Sequence, residues 1–149
     1  MNSSKTRILL DTTYILPVLG VRVKGIEDVI AKLRTLYLKG EVELYYSPYS
    51  LFEALGKISK TSFDDRVVEE GLLSITESGT FIEAIPTTEG YLKALKLKSE
   101  GFGDLIDLIL YSTALTKGLR FLTRDKKLIK FIEDSGEDVT VFLSEEELP

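Results

Sequence analysis

The regular alternation between short β-prone segments and helical segments constrains the fold of this chain most strongly. Five segments are short and apolar, or rich in β-branched and aromatic residues, at positions 7–10, 42–46, 80–85, 119–123 and 139–143. Helices between such strands cross over from one parallel strand to the next and cover both faces of the sheet. The pattern therefore predicts an α/β fold, a three-layer α/β/α sandwich with a mostly parallel, roughly five-stranded sheet. No linker or repeat interrupts the sequence, so we expect a single domain over residues 1–149.

The predicted helices carry start and stop signals. Ser47 and Pro48 suit the N-cap and the first position of a helix, while Gly40 and Gly118 follow the ends of two others. Pro17 disturbs the first helix. The predicted helices occupy residues 12–18, 26–38, 48–58, 63–75, 87 or 88 to about 99, 104–117 and 126–133. We expect the acidic tail at 144–149 to be solvated.

The composition limits the chemistry that the chain can perform. It contains no histidine and no cysteine, which excludes imidazole bases, Ser-His triads, His-ligated metal sites, disulfides and thiolate catalysis. Any bound metal must be held by oxygen ligands, which favours Mg²⁺ or Mn²⁺. The net charge of −5 argues against a simple electrostatic nucleic-acid binder, unless the acidic residues are clustered to hold cations.

Two further expectations concern the cellular setting. No apolar run is long enough to span a membrane, and the opening MNSSKTR lacks the apolar core of a signal peptide, so we expect a cytoplasmic protein with no membrane partner. Glutamine is absent and asparagine occurs only at position 2, whereas glutamate, lysine and arginine are frequent. This composition is typical of proteins from thermophiles.

Acidic residues follow two of the predicted strands. Asp11 comes directly after the first strand, and Asp125 lies just past the fourth. Because the carboxyl ends of parallel strands share one edge of the sheet, we expect these two side chains to lie close together. A carboxylate beside an apolar strand is costly unless it is paired.

Three more acids lie on predicted helices. Glu53 interrupts an apolar stretch in the first turns of the helix after the second strand. Asp104 and Asp107 share one face of a later helix, where Asp107 has apolar neighbours. Acids gathered in one cleft cannot all stay ionised without cations, and Mg²⁺ prefers carboxylates together with water and phosphate. One or two such ions lower the pKa of bound water and stabilise the leaving oxygen in phosphodiester hydrolysis.

Four short motifs contain these acids in a fixed order. The first two are "ILLDTTYIL", an apolar strand followed by Asp and Thr, and "SPYSLFEALGK", a Glu on the helix after the next strand. The other two are "DLILYSTALTKGL" and "RFLTRDKKL", an apolar strand followed by Thr-x-Asp. Together they resemble the PIN-domain family of small nucleases, which includes the toxins of toxin–antitoxin pairs and archaeal stand-alone proteins. The match spans nearly the whole chain, although Leu110, Tyr111 and Ser112 replace the usual Ala-Ala pair, so Tyr111 is expected to narrow the cleft or alter packing.

The resemblance implies a metal-dependent endoribonuclease that cleaves single-stranded RNA with Mg²⁺ or Mn²⁺, with an antitoxin as a possible partner and a homodimer as the common assembly. Its catalytic metal site would comprise Asp11, Glu53, Asp107 and Asp125, with Asp104 as an accessory acid. Asp11, Asp107 and Asp125 would bind the main ion, and the other acids would complete the shell or orient the attacking water. Thr12 and Thr123 would hydrogen-bond an acid or a metal-bound water, and Arg124 and Lys126 would contact the phosphate backbone.

Simpler interpretations remain open for each residue. An Asp at a strand end is commonly a turn former or a helix N-cap, and Asp104 is equally suited to cap its own helix. Glu53 is compatible with a solvated residue at helical spacing, and the basic turn at 124–127 is equally compatible with solvation. One alternative function is a PIN scaffold that binds RNA or protein with weak metal affinity, although a scaffold without activity has no evident need to keep the acids. Another is a carboxylate-based phosphatase, which Thr13 disfavours because a second acid usually stands at that position.

Overall fold

All the strands that the structure describes belong to one parallel sheet. The structure is a computed structural model that describes residues 4–149. Residues 1–3 lie outside the described residues, and they belong to the opening segment for which no signal-peptide core is predicted. The strands are β1 Thr6–Leu10, β2 Val42–Tyr46, β3 Phe81–Glu83, β4 Arg120–Leu122 and β5 Phe142–Leu143. Their order across the sheet is β3-β2-β1-β4-β5, and every pair is parallel. The predicted sheet is confirmed.

Helices lie on both faces of the sheet. They are α1 Thr12–Ile15, α2 Glu27–Leu38, α3 Pro48–Ile58, α4 Asp65–Thr76, α5 Thr88–Ser99, α6 Leu105–Lys117 and α7 Lys126–Asp134, with 3₁₀ turns at Leu16–Leu19 and Glu145–Glu147. Among the helices of residues 4–149, none has both the length and the apolar character that crossing a bilayer requires. The helices on the two faces of the sheet confirm the predicted α/β/α layering.

The central strand β1 explains why the domain has two hydrophobic cores. Successive side chains of a strand point to opposite faces. Ile8 and Leu10 accordingly pack in the first core with α1 to α4, whereas Leu9 packs in the second core with α5, α6 and α7. All three side chains are almost completely buried, as expected for a strand that is covered on both faces.

Tyr111 fills the second core instead of narrowing a cleft. Its side chain is fully buried, its ring stacks on Phe142, and its hydroxyl donates a hydrogen bond to the backbone oxygen of Asp138 at 2.8 Å. Of the two expectations for this departure from the usual Ala-Ala pair, altered packing is the one observed.

Several predicted boundaries differ from the observed ones. The helix after β1 becomes a 3₁₀ turn at Leu16, because Pro17 cannot donate the next helical hydrogen bond. β5 contains only two of the five predicted residues, since the Asp138 carboxylate accepts hydrogen bonds from Thr140 and holds that stretch in a turn. β3 is likewise shorter than predicted.

The C-terminal tail was predicted wrongly. Instead of being solvated throughout, it forms the 3₁₀ turn Glu145–Glu147 with a capping box between Ser144 and Glu147. Leu148 inserts into the first core and is only 6% exposed. One apolar residue in an acidic run has no periodicity, so local pattern could not reveal this contact.

Candidate active site

The candidate site lies at the carboxyl edge of the sheet between β1 and β4. The strand order reverses there, because β2 and β3 continue on one side of β1 while β4 and β5 lie on the other. The connections after two adjacent strands then diverge and leave a crevice at which ligands typically bind. Asp11 follows β1, and Thr123 and Asp125 follow β4, so the topology places all three at this crevice.

Asp11 is the most buried acid of the site, with 8% of its surface exposed. One carboxylate oxygen caps α1 by accepting a hydrogen bond from the backbone N–H of Thr12 at 2.7 Å. The other accepts a hydrogen bond from the Thr123 hydroxyl at 2.5 Å. Burial nevertheless raises the pKa of Asp11 above its ordinary value, and the charges of Glu53 and Asp125 raise it further. The ionised form therefore lacks a compensating positive charge.

Thr123 joins the two acid-bearing connections. Its hydroxyl donates to Asp11 and also accepts a hydrogen bond from the backbone N–H of Asp125 at 3.1 Å. The backbone N–H of Asp11 donates to the carbonyl of Leu122 at 3.2 Å, which extends the β1–β4 pairing to the edge. Thr123 therefore hydrogen-bonds an acid of the candidate site, while its predicted contact with the substrate stays a prediction.

Asp125 and Asp104 also act as helix caps. Asp125 accepts hydrogen bonds from the backbone N–H groups of Lys127 and Leu128, both at 3.1 Å, at the start of α7. Asp104 accepts one from the N–H of Asp107 at 3.2 Å at the start of α6. With Asp11, three of the five predicted acids therefore have the capping role that the simpler interpretation assigned to them.

Asp107 has a strongly perturbed carboxyl group. Its pKa is raised to about 8, chiefly because the group is partly buried. The remaining causes are the charges of Asp104, Asp11 and Asp125 and a hydrogen bond with Asp125. These causes place Asp107 near the acids that follow β1 and β4, while its role as a metal ligand stays a prediction.

Glu53 approaches the cluster from α3. Ser47 caps this helix by accepting from the N–H of Tyr49 at 3.1 Å, and Pro48 occupies its first turn. Glu53 is half-buried, and its charge contributes to the raised pKa of Asp11. The five predicted acids are hereafter called the acidic cluster: Asp11, Glu53, Asp104, Asp107 and Asp125.

The acidic cluster suits a hydrated cation better than a closed protein cage. Within residues 4–149, no three acidic side chains approach closely enough to form a ready-made metal site. Mg²⁺ commonly keeps several waters and binds through only one or two carboxylates. The Thr12 hydroxyl is buried without a hydrogen-bond partner beside Asp11, so it is available to a bound water. The donors fit Mg²⁺ or Mn²⁺, while the choice of ligands among the five acids stays a prediction.

The basic residues near the site differ from one another. Lys126 is exposed, and its predicted contact with phosphate stays a prediction. The Arg124 guanidinium instead makes four hydrogen bonds within the protein, two to the Glu145 carboxylate and one each to the carbonyls of Lys24 and Gly25. These bonds use four of the five N–H groups of the guanidinium, and the predicted contact of Arg124 with the phosphate backbone stays a prediction. Glu145 was missed because it lies 21 residues away in a tail without any local signal.

Comparison with known proteins agrees with this description. A family model described as PIN domain matches residues 8–133, a range that contains the whole acidic cluster. No curated protein matches the sequence.

Three similar solved structures share the fold. VapBC2 from Rickettsia felis bound to a DNA fragment from its promoter has a TM-score of 0.66 at 12% identity. The matched region covers 93% of this chain and 98% of the Rickettsia felis chain. A toxin–antitoxin complex from Klebsiella pneumoniae has a TM-score of 0.63 at 15% identity, covering 95% and 99%. VapC20 from Mycobacterium tuberculosis, a Sarcin-Ricin loop cleaving toxin, has a TM-score of 0.62 at 13% identity, covering 89% and 97%.

Proposed function

The chain belongs to the PIN domain family of nucleases, and from that premise we propose that it is a metal-dependent endoribonuclease that hydrolyses phosphodiester bonds of single-stranded RNA. The observation that carries this proposal is the crowding of carboxylates at the β1–β4 crevice, where burial first, and then the charges of the neighbouring acids, raise the pKa values of both Asp11 and Asp107. Such crowding is relieved when a divalent cation binds, because the cation stabilises the ionised carboxylates.

Each residue of the crevice has a role in this proposal. Asp11, Asp107 and Asp125 hold Mg²⁺ or Mn²⁺, and Glu53 with Asp104 completes the shell or orients the attacking water. When bound, the ion polarises the phosphate and lowers the pKa of a coordinated water. Apart from these acids, Thr123 holds the Asp11 carboxylate in place through its hydrogen bond. The Thr12 hydroxyl forms a hydrogen bond with a water molecule, and Lys126 contacts the RNA backbone.

We further propose that the protein is the toxin of a toxin–antitoxin pair. The similarity to the Klebsiella pneumoniae toxin–antitoxin complex and to the Rickettsia felis VapBC2 complex supports an antitoxin partner. The similarity to a toxin that cleaves the Sarcin-Ricin loop supports RNA as the substrate. A cytoplasmic location goes with such a substrate.

A homodimer is also part of the proposal. Leu92 and Leu95 on α5 are 62% and 57% exposed, and Phe52 on α3 is 72% exposed. The spacing of Leu92 and Leu95 places them on one face of their helix. Large exposed apolar side chains commonly mark a protein–protein contact, and a second copy of this chain would bury such side chains.

Substitution of Asp11 tests the enzymatic proposal. The change Asp11→Asn removes a charge from the crevice but keeps an oxygen that can cap α1. We expect cleavage of single-stranded RNA in the presence of Mn²⁺ to fall by at least about 100-fold, because even outer partners of metal ligands account for about 10–100-fold. The rate is measured by gel electrophoresis of a labelled RNA, with circular dichroism to verify the fold.

The matched control is Asp64→Asn, which changes an N-cap aspartate of α4 outside the acidic cluster. This variant should cleave at the wild-type rate. Mn²⁺-dependent cleavage that persists in Asp11→Asn would refute the assignment.

The scaffold alternative gains one specific observation. Asp11, Asp104 and Asp125 cap helices, so a protein without activity does have a structural reason to keep these acids. Calorimetric titration with Mn²⁺ separates the two functions. Saturable binding supports the nuclease, whereas the absence of binding favours a scaffold for RNA or protein. Hydrolysis of a small phosphate ester, without RNA cleavage, would instead favour the phosphatase alternative.

A further inference from the structure

Arg124 connects the acidic cluster to the C-terminal turn. It stands between Thr123, whose hydroxyl bonds Asp11, and Asp125. Its guanidinium forms an ion pair with the Glu145 carboxylate, in which both carboxylate oxygens accept hydrogen bonds. It also donates to the carbonyls of Lys24 and Gly25, both at 2.8 Å. The residue is therefore bonded on several sides by parts of the protein that are distant in sequence.

Glu145 makes a second connection, to the segment that follows β1. The Tyr14 hydroxyl donates a hydrogen bond to Glu145 Oε2 at 2.6 Å. Tyr14 is completely buried, and its backbone N–H donates to the carbonyl of Asp11 at 2.9 Å. One carboxylate thus receives hydrogen bonds from both acid-bearing connections, one through Tyr14 and the other through Arg124.

The ionisation states of these partners suit this arrangement. Although burial opposes ionisation, the hydrogen bonds from Arg124 and Tyr14 lower the pKa of Glu145 below its ordinary value. Burial raises the pKa of Tyr14 far above its ordinary value, so its hydroxyl keeps its proton and donates. Hydrogen bonds to a charged acceptor are stronger than neutral ones and fix geometry more firmly.

The turn that carries Glu145 is itself well anchored. Ser144 and Glu147 form a capping box at this turn, and the Ser144 N–H donates to the Glu147 carboxylate at 2.9 Å. Leu148 is buried in the first core, and its carbonyl accepts a hydrogen bond from Lys32 on α2. Glu145 is therefore presented from a rigid support and not from a free tail.

We propose that Glu145 is a positioning residue of the metal site, which joins Arg124 and Tyr14 so that Asp125 and Asp11 stay at the separation at which they share a divalent cation. This inference rests on the proposed function. The β1–β4 pairing and the Thr123 hydroxyl already join the two connections at the edge of the sheet. Glu145 adds a further attachment beyond that edge, between the segments that carry Tyr14 and Arg124. Partners that orient metal ligands in this way typically account for about 10–100-fold in metal affinity.

Glu145→Gln tests the inference, with Glu146→Gln as the matched control. Both changes remove one negative charge from the same turn, but Glu146 is exposed and forms none of the hydrogen bonds or ion pairs identified in residues 4–149. Mn²⁺ affinity is measured by calorimetric titration, well below the melting temperature of each variant. We expect binding to weaken about tenfold in Glu145→Gln and to stay unchanged in Glu146→Gln.

The outcomes distinguish this inference from the proposed function. If the wild-type protein binds Mn²⁺ and Glu145→Gln binds it equally well, even with a lower melting temperature, Glu145 is only structural and the inference is wrong. Equal weakening in both variants would also overturn it, because the effect would then be one of general charge. If the wild-type protein binds no Mn²⁺, the proposed function itself fails and the inference with it.

A milder variant guards against loss of folding in Glu145→Gln. Tyr14→Phe removes only the hydroxyl that bonds Glu145 and keeps the buried ring. It should weaken Mn²⁺ binding severalfold while the protein stays folded. Unchanged affinity in Tyr14→Phe would count against the inference, since the connection to the segment after β1 would then have no effect on the site.

Discussion

At the scale of single residues, some aspartates of the crevice both cap a helix and belong to the acidic cluster. Asp11 and Asp125 satisfy backbone N–H groups at helix starts, as aspartates at strand ends commonly do. Asp107 caps no helix, and its partial burial among other acids raises its pKa to about 8. A structural role therefore explains some of the acids, but it does not explain Asp107.

The raised pKa of Asp107 predicts how the metal-free protein responds to pH. The folded state holds the Asp107 proton up to about pH 8, whereas an unfolded chain releases it near pH 4. The stabilising contribution is therefore complete below about pH 4 and is lost as the pH rises towards 8. In a chelator, the melting temperature of the wild-type protein should fall between pH 5 and pH 8.5 relative to that of Asp107→Asn.

Asp107→Asn cannot ionise and serves as the reference for this pH series. Added Mn²⁺ should oppose the loss of stability in the wild-type protein, because the cation favours the ionised carboxylate. If the melting temperatures of the two proteins change in parallel across the whole pH range, Asp107 does not hold its proton as described.

At the scale of elements, close approach between α4 and the 3₁₀ turn Leu16–Leu19 depends on Gly71. A Cβ at this position would lie 2.4 Å from the carbonyl oxygen of Val18 and 3.0 Å from the Cα of Leu19. These neighbours are backbone atoms, which cannot move aside by changing a rotamer. The glycine therefore allows α4 to pack directly on the segment that follows the site-bearing helix α1.

Two alanine substitutions test this contact. Gly71→Ala should lower the free energy of unfolding by roughly 1–3 kcal/mol, the usual cost of overpacking a well-packed site. Gly56→Ala is the matched control, because a Cβ there meets no atom within 4 Å on the exposed side of α3. It should raise the free energy of unfolding by roughly 0.5–1 kcal/mol through its better helix propensity. Urea denaturation measures both, and a Gly71→Ala protein as stable as Gly56→Ala would contradict the described packing.

At the scale of the whole molecule, the sheet separates two cores and leaves apolar side chains exposed on α5. Leu92 and Leu95 lie on this helix, which covers the face opposite to α2. Contact with a second copy of the chain removes their apolar surface from water, which stabilises the dimer by roughly 25 cal/mol per Å² of buried surface. The proposed homodimer therefore requires Leu92 and Leu95 to lie in the interface.

Leu92→Lys is expected to weaken the homodimer without unfolding the monomer. A charged side chain in an apolar interface should raise the dimer dissociation constant by at least about tenfold, since the few residues that dominate an interface each contribute about 2 kcal/mol or more. Sedimentation velocity over a concentration series measures the change. The control is Leu38→Lys on α2, where the leucine is 76% exposed on the other face of the sheet. A wild-type protein that sediments as a monomer at all concentrations would refute the dimer.

Local pattern in the chain was sufficient for the architecture and for the candidate acids. The caps at Ser47 and Asp104, the glycine after Lys117 and the apolar run of β1 are short-range signals, and the observed elements follow them closely. Because parallel strands present their carboxyl ends at one edge, the positions of Asp11 and Asp125 after their strands already indicated a common crevice.

The tertiary structure alone decided the features that depend on distant contacts. The pKa of Asp107 depends on burial and on the charges of Asp104 in its own segment and of Asp11 and Asp125 in two distant ones, which no short window of sequence contains. The bonds of Glu145 to Tyr14 and Arg124 join residues 131 and 21 positions apart, so a tail that reads as solvated became part of the support of the site. Periodicity and capping report on neighbours within a few residues, whereas packing brings together side chains whose proximity is set only by the whole fold.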